Sequence, residues 1–172
     1  MFNRKKYEQD AVNLYRSTNA AILSTMSKKY EGYPFGSFIT YATDKSRTLF
    51  MYTSDIAQHT KNLKNDSKAC VTLFKLDTEY DKQNSSRLTL MGDLKKVPKD
   101  DLDDCQERFV KFLPESKKYS SMHDFKFYKL EISRVRWIGG FGDIAWINPK
   151  NWKDDSPKWS KNEKMMIDHM ND

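Results

Sequence analysis

Cysteine and histidine are scarce in this chain, whose 172 residues hold two of the first and three of the second. Cys70 falls in a strand-like run and Cys105 in a helix-like one, so neither number nor spacing supplies a disulfide framework or a zinc site. No apolar run approaches the roughly 20 residues that cross a bilayer, and no secretory signal is legible. A cytoplasmic chain without a membrane partner is therefore expected. Triad spacing, a Walker loop and a dinucleotide fingerprint are missing as well. Glycine is sparse, but three of the six glycines crowd into Gly139-Gly140-Phe141-Gly142. This cluster neither matches G-x-G-x-x-G nor opens a helix, so nucleotide binding through it is rejected.

The chain is long enough for one domain that buries roughly 70% of its unfolded surface. Charged residues make up 31% and aromatics 13%, a balance that keeps disorder to the ends. Thirty basic residues against 24 acidic ones give +6 and suit a partner bearing phosphate or carboxylate. Apart from Arg4-Lys5-Lys6 the lysines are scattered, which argues against nucleic acid.

Periodicity sets the element order. Tyr7, Ala11, Leu14 and Tyr15 repeat at helical spacing within 5–17. Short strands follow at 20–25, 35–41 and 49–53. From Asp55 the pattern turns helical, with Asp55 or Ser54 placed to cap. Strands return at 69–74 and 88–97, the second carrying Gly92 as a bulge signal, and a helix over 99–113 stops at Pro114. Phe125, Phe127, Leu130, Ile132, Val135 and Trp137 then alternate with Lys126, Lys129, Glu131 and Arg134, which only a long strand explains. It runs into the glycine-rich corner and a sheet segment at Ala145-Trp146-Ile147. Strands joined by short loops predict an antiparallel, mainly β fold with peripheral helices, a six-stranded barrel. A split-barrel domain over 1–148 is expected, then a loop and short helix over 149–172. There Ser160 and Glu163 have capping-box spacing and Met165, Met166, Ile167 and Met170 surround His169.

Several residues are candidates for chemistry. Thr53, Ser54, Thr60 and Lys61, beside His59, could line an anion site, because hydroxyls and a helix start suit phosphate; a solvated helix face competes. His123 reads as a turn residue or a functional one. Arg87 begins an apolar strand and could hold a propionate, a phosphate or a water, or be a plain surface arginine. His169 is either a packing residue or, in its soft apolar setting, a heme-iron ligand steadied by a carboxylate.

The segments AILST (21–25), YPFGS (33–37), HTKN (59–62), RLTLMG (87–92), HDF (123–125) and GGFGDIAW (139–146), with IDHMND at 167–172, occur in the order found in the HugZ/HutZ-type heme-utilisation proteins. The chain resembles that branch of the pyridoxamine 5′-phosphate oxidase-like, FMN-binding split-barrel superfamily over nearly its whole length. The resemblance implies a homodimer with ligand sites in clefts between subunits, heme as both cofactor and substrate, and oxidative opening of the porphyrin for iron acquisition. It makes His169 the axial iron ligand, Asp124 its carboxylate partner from the other subunit, and Arg87 a contact to heme or its water. The electron donor is not implied. FMN is the alternative cofactor, with Thr60 and Lys61 where phosphate contacts would fall, and a heme carrier without turnover is a further alternative.

Overall fold

The computed structural model describes residues 4–76, 78–79 and 81–152. Helix α1 (Arg4–Arg16) leads into strands β1 (Ala20–Met26), β2 (Pro34–Thr40), β3 (Ala42–Thr43) and β4 (Leu49–Ser54). Helix α2 (Gln58–Asn65), strands β5 (Lys68–Lys75) and β6 (Ser86–Lys96) and helix α3 (Leu102–Phe112) follow. Strand β7 (Phe125–Ile138), strand β8 (Ile144–Ile147) and the one-turn helix α4 (Pro149–Trp152) complete the described chain. All pairings are antiparallel, in the order β2-β1-β5-β6-β7-β4-β3 with β8 also on β7. Mainly β with peripheral helices is thus the observed class, in an open, curled sheet. Eight strands are described where a six-stranded barrel was expected; beyond the six are the two-residue β3 and the four-residue β8, which is the sheet segment read at 145–147. The ends of the path, β2 and β3, are joined in sequence through Tyr41 alone.

Strand β7 organises the sheet. Its first half pairs with β4 from Leu49↔Leu130 to Ser54↔Phe125, and its last four residues pair with β8. Along its other edge β6 runs from Arg87↔Ile138 to Lys96↔Tyr128. The register shifts between Met91↔Arg134 and Gly92↔Ile132, which leaves Ser133 as the extra residue of a β-bulge. This accounts for one of the two misplaced steps in the alternation, Ile132 to Val135; at the other, Phe127 faces the second cluster and Tyr128 the main core before Leu130 resumes the pattern. Gly92 is obligatory here, because a Cβ on it would lie 2.0 Å from the Glu131 carbonyl oxygen. The bulge signal read at Gly92 was sound, although the added residue sits on the partner strand.

Inward side chains of the sheet, including Leu23, Val71, Leu73, Leu88, Leu90, Leu130 and Val135, form the main core. Helix α1 covers it with Ala11, Val12, Leu14 and Tyr15. A second cluster seats α3, through Cys105, Phe109 and Phe112, on Phe127 and Ala42. Helix α2 begins later than the sequence suggests. Its N-cap is Ala57, with no side-chain cap; the Ser54 hydroxyl instead accepts from the Ile56 amide in the preceding turn. Pro114 does end α3, but as the first residue of a 3₁₀ segment, Pro114–Tyr119, a position where its missing N–H costs nothing.

Buried Arg47 ties the described end of the chain to the body. Its guanidinium donates to the Trp152 carbonyl (3.0 Å), lies 3.3 Å from Glu8 Oε1 and packs over the Trp152 indole. Trp152 itself is fully buried against Tyr15.

Candidate functional site

The predicted site residues fall at two separate ends of β7. At its beginning, the last turn of β4, helix α2 and the residue before β7 converge. The Ser54 hydroxyl donates to the Asp124 carboxylate, and the Asp55 amide donates to the Asp124 carbonyl at 2.8 Å. Thr53 Oγ1 lies 2.7 Å from His59 Nε2 and 3.2 Å from Thr60 Oγ1. Burial holds the His59 imidazole below its ordinary value, so the ring is neutral near pH 7. Thr53 and Thr60 are buried, and the Thr60 hydroxyl faces Thr53 rather than solvent. Buried Asn62 is also internal: its amide donates to Thr25 Oγ1 (3.0 Å) and its carbonyl accepts from the Lys28 N–H (3.0 Å) and from Gln58. Lys61 and His123 are exposed.

Arg87 stands at the far end, opposite Ile138. Thirteen residue steps of β7 separate the pairing partners of Ser54 and Arg87, roughly 40 Å of strand. Within one chain, Asp124 and Arg87 therefore cannot meet around one small ligand. Arg87 donates to the Gln83 carbonyl (3.2 Å), beside the glycine corner. There Asn84 Oδ1 accepts from the Phe141 amide (2.7 Å), holding an aromatic ring that is 87% exposed. Gly140 adopts φ +130°, and a Cβ on it would meet Asn84 Oδ1 at 2.8 Å, so glycine is needed there.

Arg87 shares its sheet face with a row of outward residues running strand to strand: Phe38, Ile22, Thr72, Thr89, Arg136 and Trp146 are successive cross-strand partners. The next row brings Cys70, Met91 and Arg134 together. Phe38 is 69% and Trp146 60% exposed, and Ile22, Phe74, Met91 and Ile144 are also uncovered. Beside them is a groove of about 610 Å³ whose lining includes Met91, Ser133, Arg134, Trp146 and the 147–149 segment. The Arg136 guanidinium packs 5.0 Å from the centre of the Trp146 ring.

Sequence reasoning missed Arg134, Arg136, Trp146 and Asn84 as a surface. Arg134 was read as part of the polar half of an alternating strand, and only the break between Ile132 and Val135 hinted that the bulge re-aims it. His169, its neighbours and the short helix expected around them lie outside the described residues. Among the described residues no group of three or more His, Cys, Asp or Glu could hold a metal ion, and no helix is long and apolar enough to cross a membrane.

Comparison with known proteins places this geometry among relatives. A family model described as CREG, beta-barrel matches residues 3–154. Over 119 residues the chain is 34% identical to the non-canonical heme oxygenase HOZ, chloroplastic, of Arabidopsis thaliana, covering 69% of this chain and 36% of that protein. A heme binding protein from Mycobacterium smegmatis superposes with a TM-score of 0.78 at 28% identity, over 86% of this chain and 60% of that one. HutZ, the heme storage protein from Vibrio cholerae, shares the fold at a TM-score of 0.63 and 20% identity, over 75% of this chain and 92% of that one. The chain thus spans about a third of the plant protein and three fifths of the mycobacterial one.

Proposed function

The chain belongs to the CREG, beta-barrel family, and from that membership we propose that it binds heme and opens it oxidatively in the service of iron acquisition. The observation that carries this reading is the outward sheet face, where Arg87, Arg134 and Arg136 stand among uncovered Met91, Ile144 and Trp146. A flat apolar ligand with carboxylates on its edge suits such a surface, and two relatives carry heme in their names. Bound heme supplies its own redox chemistry and is itself the molecule consumed.

In this reading His169 would hold the heme iron, Arg87 would contact the heme or its water, and Asp124 of the partner subunit would steady the imidazole. The same geometry supports a homodimer, since Asp124 and Arg87 sit at opposite ends of β7 and would serve one ligand only from different subunits. Exposed Ile22, Phe38 and Phe74 give the second copy an apolar face to cover. Taken as one strand bent at Tyr41, β2 and β3 reduce the path to six strands, with that bent strand on both edges. This supports the six-stranded split barrel.

FMN as the cofactor draws less support, because the Thr60 hydroxyl is engaged by Thr53 instead of facing an incoming phosphate. Titration with hemin, read by absorbance, tests the proposal. A sharp Soret band is expected, and its loss under air with reductant, with a bile pigment formed, marks turnover. A flavin band in the purified protein and no response to hemin would refute heme binding. A Soret band unchanged by reductant would reduce the protein to a carrier.

A further inference from the structure

We infer that the groove between β6–β7 and β8 seats the propionate-bearing edge of a tetrapyrrole, with Trp146 against the macrocycle and Arg134 paired to a propionate. The inference rests on the heme reading above and gives it a place on this chain. The groove volume of about 610 Å³ lies within the roughly 300–1,000 Å³ typical of small-molecule sites. Its walls are apolar where a ring would lie, through Met91, Trp146, Ile147 and Pro149. Arg136 packs on the Trp146 indole, which stays largely exposed and offers a flat ligand an aromatic surface.

Charge selects the edge of the ligand. The Arg134 guanidinium donates to the Ser133 carbonyl (2.8 Å) and has no ion-pair partner among the described residues, which leaves donors for a bidentate carboxylate. The bulge places it there. Ser133 is the residue added to β7, its hydroxyl donates to the Met91 carbonyl (3.2 Å), and Arg134 turns outward beside Met91. Bulges recur where a strand must re-aim a side chain next to a site. The groove also lies where the described chain ends: Pro149 lines it, and Arg47 pins Trp152 three residues later.

The test compares hemin with hemin dimethyl ester, whose propionates are neutral, on wild type, Arg134→Gln and Trp146→Ala. Arg134→Gln is expected to weaken hemin roughly tenfold or more, the loss of one charge-assisted pair, and to leave the ester unchanged. Trp146→Ala is expected to weaken both ligands. Both side chains are outside the core, and a wild-type circular dichroism spectrum would confirm folding. Hemin bound equally by wild type and both variants, with a normal Soret band, would overturn the groove assignment and leave the heme reading standing. No hemin binding by wild type would overturn both. A fall from dimer to monomer in Arg134→Gln or Trp146→Ala, seen by sedimentation with hemin affinity preserved, would assign the groove to a second copy of the chain instead.

Discussion

Replacing Gly92 by alanine puts a methyl group 2.0 Å from the Glu131 carbonyl oxygen, 2.8 Å from its carbon and 3.1 Å from Ile132 Cα. All three neighbours are backbone atoms, so no side chain can rotate away. Relief needs β6 and β7 to separate by about 1 Å at the bulge, or the bulge to be lost. Loss of the bulge shifts β7 by one residue relative to β6, which would turn Val135 and Trp137 outward and Arg134 and Arg136 into the core. Separation is the lesser penalty and still an overpacking of backbone, worth about 3 kcal/mol or more. For a chain of this size that lowers Tm by roughly 6–12 °C. Gly36→Ala is the matched control: it lies on β2, and a Cβ there meets nothing within 4 Å, so a change between neutral and slightly stabilising is expected. Urea unfolding of the two variants beside wild type measures the difference. Equal midpoints for Gly92→Ala and Gly36→Ala would refute the bulge as the determinant of register.

Burial lowers the His59 value, so the unfolded chain takes up a proton at higher pH than the folded one. Its contribution to stability is complete above the ordinary histidine value and declines as pH falls below about 6.5 toward the folded value. His59→Gln should flatten that part of the stability curve, and a slope unchanged by the substitution would exclude His59 as its source. The Cys105 thiol is pushed up to about 12, first by burial, whereas Cys70 is only half-buried. Ellman's reagent should therefore titrate Cys70 in the native protein and both thiols after denaturation; rapid modification of Cys105 in the folded state would contradict its placement on the buried face of α3. Asn84→Ala removes the acceptor for the Phe141 amide and is expected to speed amide exchange in the Gly139–Gly142 corner while leaving the core spectrum unchanged. Exchange at the wild-type rate would show that Asn84 does not hold the corner.

Much of the sheet was legible because its inward residues alternate cleanly. The alternating residues of β1 and β5 could face only one core, and the helical stripes of α1 and α3 are equally plain. What escaped depended on contacts between distant segments. Trp152 lies on a four-residue helix too short to show a period, and its burial is fixed by Arg47 and Tyr15, more than 100 residues earlier. A cap at Ser54 or Asp55 was a fair reading of local chemistry. However, the Ser54 hydroxyl is drawn to Asp124, a partner 70 residues away, and helix α2 starts without it. The candidate site shows the same division. Thr60 and Asp124 could be picked by residue type and resemblance, but whether a hydroxyl faces a ligand or a buried neighbour depends on packing. Arg134 looked like any solvent-side residue of a strand until the register of β6 set it beside Met91.

The separation of Arg87 from Asp124 along β7 has a consequence that can be checked genetically. If His169 of one subunit works with Asp124 of the other, each site in a dimer draws one member of the pair from each chain. Asp124→Asn and His169→Ala should then each impair heme turnover as pure homodimers. Co-expressed in equal amounts, about half of the dimers are mixed. In a mixed dimer one site takes the intact histidine from the Asp124→Asn chain and the intact aspartate from the His169→Ala chain, while the other site collects both lesions. Turnover should recover to about one quarter of the wild-type level by this symmetry, without any new contact being made. Were both residues to serve the site of their own chain, every site in the mixture would keep one lesion, and no recovery would occur at any ratio of the two variants.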